Sequence, residues 1–393
     1  MWGDIAIAFM IAFVTAFMAT PYTIRFAKKV GAVDIPQDPR RINKIVMPRL
    51  GGLAVILGFF VSVIYLLIVM SIEGKINIFL EDDLYLKLFG FLLGELIIGL
   101  TCFYDDVKNA PALVKLTAQI LAGIILVKCG IRIDHFEFGI FNVPASNTLF
   151  YDIFSVMWVV GITNAMNLID GLDGLSTGIS IISCISLLII FALNGSPLIS
   201  IILITSLCGS LVGFLPYNFN PAKTFIGDTG SNFLGYALSV ISILGVAKTY
   251  TAIVIVAPLI VLALPLFDTV FAIIRRVIKS RSLKAIMKPD AGHLHHKMLQ
   301  KGFTQKQAVL ILYALSATFG MFAIILLDSG LWKAISFALI IAVIIAMGYK
   351  EFFKTRLLAD DSTESQPEEP IEGQTIIDEY DNVESIEKYR KYE

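Results

Sequence analysis

The stretch "NAMNLIDGLDGL", Asn164 to Leu175, interrupts two long apolar runs. It sets Asn164, Asn167, Asp170 and Asp173 three residues apart and follows each aspartate with a glycine. In a helix, a spacing of three drifts about 60° per step. Asn164 and Asn167 therefore share the end of a helix face, while the two Asp-Gly pairs favour a turn. Alone, this reads as an ordinary loop between two spans. The flanking runs decide the fold, because each is long and apolar enough to sit in lipid.

The same pattern extends through the chain. Of 393 residues, 56% are apolar and only 16% charged, and mean hydropathy is +0.79. Soluble domains carry about a quarter charged residues. Helical periodicity without ten-residue alternating segments predicts an all-α, polytopic integral membrane protein rather than a barrel. Apolar windows predict about eleven transmembrane helices, near 4–26, 50–71, 84–104, 111–128, 150–168, 175–193, 197–216, 230–247, 251–274, 308–327 and 331–350. No basic segment precedes residues 5–20, so they read as a retained first helix rather than a signal peptide. The four cysteines lie in or beside apolar spans without paired spacing and read as small buried hydrophobes.

The near-zero net charge conceals segregation. Loops of one parity hold seventeen Lys and Arg, chiefly at Lys28–Arg49 and Arg275–Lys306, against five on the other side. The positive-inside rule then places the N-terminus outside and the C-terminus in the cytoplasm. Residues 1–353 form the transmembrane domain on this reading. Residues 354–393 form an acidic flexible cytoplasmic tail, with twelve Asp and Glu against three Lys and Arg from Asp360 onward.

Five polar motifs fall on that same side: "NKIVMPRLGG" (Asn43–Gly52), "FYDDVKNAPALVK" (Phe103–Lys115), the opening stretch, "FIGDTGSN" (Phe225–Asn232) and "PDAGHLHHKML" (Pro289–Leu299). One composite site at the cytoplasmic surface accounts for all of them. Asp105-Asp106 could be a solvated helix end. Yet carboxylates beside hydrocarbon need a cation or metal, and adjacent carboxylates oppose each other's ionisation, which leaves one poised as a base. Lys108 and Lys115 follow at spacings that return to the same mouth. Asp228 sits between glycines where a helix begins, as either an ordinary N-cap or a metal-holding carboxylate beside phosphate-binding amides. His293, His295 and His296 stand in a basic loop without nearby cysteine, which favours phosphate or sugar contacts over zinc. Cations beside carboxylates suit a doubly phosphorylated substrate with Mg²⁺, whose ligands are a few carboxylate or amide oxygens plus phosphate.

In this order and on one side, the motifs resemble those of the polyprenyl-phosphate N-acetylhexosamine-1-phosphate transferases. These enzymes move a sugar 1-phosphate from a UDP-sugar to a membrane lipid phosphate and release UMP. The resemblance covers about residues 1–350. By motif position it implies Asp228 as a Mg²⁺ ligand with Asn167 as a second, Mn²⁺ being a potential substitute. It implies Asp105 and Asp106 in acceptor activation or positioning, and Lys44 and Lys115 near the phosphates. Asp170 and Asp173 become nucleotide contacts with Lys108 and Asn164 nearby, and Phe225 the face on which uracil stacks. His293, His295, His296 and Arg276 fall on the donor's phosphate and sugar. The implied acceptor is undecaprenyl phosphate, and the implied setting is the bacterial inner membrane with a homodimer as the expected assembly. No nucleic-acid partner is expected. Leu294 interrupts the run of three histidines usual in the muramoyl-pentapeptide branch, so the resemblance leans to the branch using UDP-N-acetylglucosamine for teichoic acid, O-antigen or related glycans. The stretch Leu283–Lys288 departs from the shorter, Pro-containing segment of that branch. Other UDP-N-acetylhexosamines and UDP-N-acetylmuramoyl-pentapeptide stay open as donors.

Two other classes compete. An intramembrane aspartyl protease would use Asp105 and Asp228, but it needs them within the bundle rather than at span ends. A polyprenyl-linked sugar transporter would carry charges mid-span or on both faces; here they gather on one.

Overall fold

The computed structural model describes residues 2–36, 45–74, 83–134, 137–138, 141–142, 147–246, 252–280 and 292–344. Lys44 and the acidic tail lie outside the described residues, as does Leu283–Lys288. The helices run α1 (Trp2–Val30), α2 (Gly52–Ile72), α3 (Leu84–Lys108), α4 (Ala112–Lys128), α5 (Thr148–Ile169), α6 (Leu175–Leu193), α7 (Leu198–Asn218) and α8 (Gly227–Val246). They continue as α9 (Ala252–Val261), α10 (Ala263–Ser280), α11 (Leu294–Gln300), α12 (Gln305–Ser329) and α13 (Leu331–Ile344). Two short antiparallel hairpins interrupt the helices, β1 (Val33–Asp34) with β2 (Met47–Pro48) and β3 (Glu137–Phe138) with β4 (Phe141–Asn142). The described residues are thus nearly all helical, as the periodicity predicts. Among the described residues, seven helices are long and apolar enough to cross a membrane: α1, α2, α3, α5, α6, α7 and α12.

The expected ninth span is not one helix. It breaks at Leu262 into α9 and α10. Pro265 explains the break, since it has no N–H for the carbonyl of Val261 and its ring crowds that turn. Elsewhere local chemistry sets the ends as the sequence dictates. Asn147 caps α5 by accepting from the Phe150 amide, and Thr304 with Gln307 forms a reciprocal capping box on α12.

Helices α7 and α8 form the centre. From Ile199 to Leu211 on α7 every residue is buried, and the same holds from Thr229 to Leu244 on α8, the mark of helices surrounded by other helices. α8 packs on α2, α3, α5 and α7. Lipid offers no hydrophobic drive for helices to associate, so close packing and buried hydrogen bonds must hold them. Glycines supply the close approach. A Cβ on Gly52 would lie 2.2 Å from the Cα of Gly230, and one on Gly235 would lie 2.4 Å from the Cα of Thr163. Hydroxyls add polar ties: Ser62 donates to the Ala8 carbonyl at 2.7 Å, and Tyr236 to that of Phe91 at 3.1 Å.

This packing makes a paired prediction. Gly235→Ala forces α5 away from α8, and overpacking of this kind costs about 1–3 kcal/mol. Gly161→Ala, also on α5 but with nothing within 4 Å of its added Cβ, removes only backbone freedom. Thermal melting in detergent should show a clear drop for the first and none for the second. Equal melting of both would mean that the α5–α8 contact is not tight.

Candidate active site

Helix ends meet at one end of the bundle, and Asp228 is where they meet. Gly227 adopts φ +74°, a left-handed conformation open to glycine, and the chain turns there directly into α8. A new helix leaves its first amides unpaired. Asp106, at the end of α3, satisfies them from across the interface. Its Oδ1 accepts from the Asp228 amide at 2.9 Å, and its Oδ2 accepts from the Thr229 amide at 2.9 Å and the Thr229 hydroxyl at 2.6 Å. Asp106 is 5% exposed, and those charge-assisted bonds are what compensate its burial.

Its neighbour Asp105 does something else. Its Oδ1 accepts from the Ala110 amide, which folds the α3–α4 turn back on the helix end. Its Oδ2 accepts from Lys115 Nζ at 2.7 Å. Lys115 follows Pro111, which starts α4, and its ammonium also reaches Asp228 Oδ2 at 3.0 Å. One cation thus bridges two carboxylates from separate helices. From α5, the Asn167 amide donates to Asp228 Oδ1 at 2.6 Å and to Ser231 Oγ at 2.9 Å. Asn164, one turn earlier, is tied into a chain instead. It donates to Gln119 Oε1 at 2.6 Å, Gln119 donates to Asn232 Oδ1 at 2.8 Å, and Asn232 donates to the Asp228 carbonyl at 2.8 Å. Sequence reasoning missed Gln119. Its signal was a polar side chain one turn beyond Lys115 in an otherwise apolar helix.

The Asp-Gly loop forms the next wall. Asp170 accepts from the Ser176 hydroxyl at 2.6 Å, and burial pushes its carboxyl up to about 7. Asp173 Oδ2 accepts from Asn220 at 2.9 Å and from the Ala222 amide at 3.2 Å, which ties the loop to the α7–α8 connection. That connection is zipped to the segment after β2. The Phe225 amide donates to the Pro48 carbonyl, and the Gly51 and Gly52 amides donate to the carbonyls of Phe225 and Ile226. Around these elements lies a cavity of about 230 Å³ lined by, among others, Arg49, Asp170, Asp173, Phe225 and Asp228.

The histidines reach this loop from the other side. His293 Nδ1 pairs with Asp268 Oδ2 on α10 at 2.8 Å, and Asp268 Oδ1 accepts from the Leu294 amide at 2.9 Å. His295 stacks beside His293, lies tilted against His296 and is 2% exposed. A Cβ on Gly171 would stand 2.2 Å from His295 Nε2, so the imidazole lies against bare backbone. Burial lowers its pKa to about 4. Asp268 was not anticipated, because it sits inside an apolar stretch far from any motif.

The expected residues therefore divide. Asp105, Lys115, Asn167 and Asp228 converge, and Asp106 braces them. Asp170, Asp173 and Phe225 line the cavity. Asn164 stands behind the site. Lys108 ends α3 exposed and outside the cavity lining, and Arg276 lies on α10, also outside that lining. No group of three or more His, Cys, Asp or Glu among the described residues forms a ready cation cage. The donor set still fits Mg²⁺. Two carboxylates already share the Lys115 ammonium, and Mg²⁺ requires only a few protein oxygens when phosphates complete its shell. Asn167 offers its NH₂ to Asp228, so metal ligation by its oxygen needs the amide turned over.

Residues 88–246 match the family model described as glycosyl transferase family 4. A probable undecaprenyl-phosphate N-acetylglucosaminyl 1-phosphate transferase of Bacillus subtilis is 37% identical over 345 residues, covering 86% of this chain and 89% of the relative. A decaprenyl-phosphate N-acetylglucosaminephosphotransferase of Mycobacterium tuberculosis is 29% identical, covering 79% of each chain. A phospho-N-acetylmuramoyl-pentapeptide-transferase of Staphylococcus epidermidis is 34% identical over 246 residues, covering 60% of this chain and 74% of the relative. The chain belongs to glycosyl transferase family 4 and is a multi-pass membrane phosphoglycosyl transferase.

Proposed function

We propose that the enzyme transfers N-acetylglucosamine 1-phosphate from UDP-N-acetylglucosamine to undecaprenyl phosphate, releasing UMP. The reaction would open the membrane stage of envelope-glycan synthesis, at the cytoplasmic face of a chain that crosses eleven times with its N-terminus outside. The observation that carries the reading is the Lys115 ammonium held between Asp105 and Asp228 beside a polar cavity. The name of the Bacillus subtilis relative supports the choice of donor and acceptor, and the loop charges support the orientation.

Phosphoryl transfer depends on charge neutralisation and in-line placement more than on covalent help from protein. A lipid-phosphate oxygen forms a bond to the donor's β-phosphorus, and the bond from that phosphorus to the bridging oxygen breaks, leaving UMP. Lys115 holds the incoming phosphate, and Asp105 orients Lys115 and takes any remaining acceptor proton. Asp106 fixes the α8 start so that Asp228 keeps its position. Asp170, Asp173 and Phe225 shape the nucleotide side. Asp228 with Asn167 would hold Mg²⁺, which supplies neutralisation of the diphosphate.

Purified protein given undecaprenyl phosphate, Mg²⁺ and a panel of UDP-sugars should release UMP with UDP-N-acetylglucosamine. Turnover only with UDP-N-acetylmuramoyl-pentapeptide would reassign the donor, and none with any UDP-N-acetylhexosamine would end the reading. Asp228→Asn should cut turnover by about a hundredfold or more and blunt its Mg²⁺ dependence, while the protein stays folded in detergent. An unchanged Mg²⁺ response would remove Asp228 from the metal site.

The buried His295 sets a pH dependence. Its folded pKa of about 4 lies below its ordinary 6.5, because burial and the neighbouring His296 and His293 disfavour charge more than Asp268 favours it. Protonation therefore favours the unfolded chain. The contribution of neutral His295 is complete above 6.5 and is lost as pH falls from there towards 4. His295→Gln should flatten the fall of melting temperature across that window. Parallel curves for the two proteins would show that His295 does not titrate in this way.

A further inference from the structure

The cavity beside Asp228 has an uneven charge balance. Asp34, Asp106, Asp170, Asp173 and Asp228 all line it. Each of the last four has a partner described above, and Lys115, held between Asp105 and Asp228, is placed by the proposed reaction on the acceptor phosphate. A diphosphate entering this space brings more negative charge than one Mg²⁺ at Asp228 would balance against these carboxylates, so a side-chain cation that can turn towards it is favoured. Among the described residues, Arg49 is the one cationic side chain in the lining.

Arg49 is also held unusually well for a loop residue. Its amide donates to the Ala32 carbonyl at 3.0 Å, and the residues on both sides are zipped to the Thr224–Ile226 segment. Its own carbonyl sits against Gly227, where a Cβ would come within 1.8 Å of it. Its backbone is therefore locked to the turn that launches Asp228. The side chain is 30% exposed, and its guanidinium gives one nitrogen, Nη2, to Asp34 Oδ1 at 2.9 Å. A guanidinium carries five N–H donors in a planar fork, so this bond leaves donors for another anion and fixes the plane in which they lie.

We infer that Arg49 binds the diphosphate of the nucleotide-sugar donor and that Asp34 is a positioning residue for its guanidinium. This rests on the donor reading proposed above. A locked backbone with one tethered edge is a preorganised anion contact, which keeps the ordering cost of binding low.

The test uses the full chain in detergent with UDP-N-acetylglucosamine and undecaprenyl phosphate varied separately, and with UDP and uridine as competitors. Arg49→Ala should raise the donor KM and the UDP inhibition constant by about tenfold or more, as loss of a charge-assisted contact requires. The acceptor KM and inhibition by uridine should stay within about twofold, since neither probe carries the diphosphate. Arg49→Lys should recover part of the loss, and Asp34→Asn should raise the donor KM by a smaller factor with kcat little changed. An unchanged donor KM in Arg49→Ala overturns the inference. So does a selective rise in acceptor KM, which would move Arg49 to the lipid phosphate, or an equal loss of UDP and uridine binding, which would mark a collapsed pocket. Failure of the wild-type chain to turn over any UDP-sugar would instead count against the proposed function, so the two failures are distinct.

Discussion

The grip of Asp106 on the first turn of α8 is the constraint from which the site follows. A helix that begins inside a bundle, at the edge of hydrocarbon, has amides that water cannot easily serve. A carboxylate from α3 serves them, and in doing so it fixes the register of two helices that share no turn or loop. Asp228, whose own amide is among those capped, is thereby held in place. The ammonium of Lys115 can meet it only because Asp105, on the same helix end as Asp106, draws the start of α4 inward. Two adjacent aspartates thus divide the work, one bracing the scaffold and the other holding the mobile charge.

Much of this was legible in the sequence, though not in its roles. Clustering of five motifs on one side identified the residues around Asp228, because polar groups next to lipid are costly enough to signal purpose. Which of Asp105 and Asp106 meets Lys115 and which caps α8 was not legible. Adjacent residues at a helix end diverge by about 100°, and only the position of α8 decides which one turns towards its amides. Asn164 and Asn167 pose the same problem one turn apart: the first joins the Gln119–Asn232 chain and the second reaches Asp228. Asp268 lay in an apolar stretch without a motif, and its pairing with His293 is a product of tertiary packing. The break at Leu262 was visible as Pro265, yet hydropathy averages over a window and hides it.

The bundle and the site draw on one resource, close contact between backbones. Gly52 against Gly230 brings α2 to α8 beside the segment that carries Arg49, and Gly235 brings α5 to α8 just inside Asn167. Small residues that let helices approach in lipid therefore also set how near the functional side chains come to one another. Packing and chemistry cannot be altered separately at this end of the molecule.

Gly171 and His295 are 124 positions apart in the chain, yet an imidazole nitrogen lies where any side chain at 171 would begin. The two positions are coupled in space, so a change at one is felt at the other. Even an alanine at 171 requires the imidazole at 295 to move, and a smaller residue at 295 would leave room for a side chain at 171. Two motifs that look independent in the primary sequence therefore share one tightly packed contact.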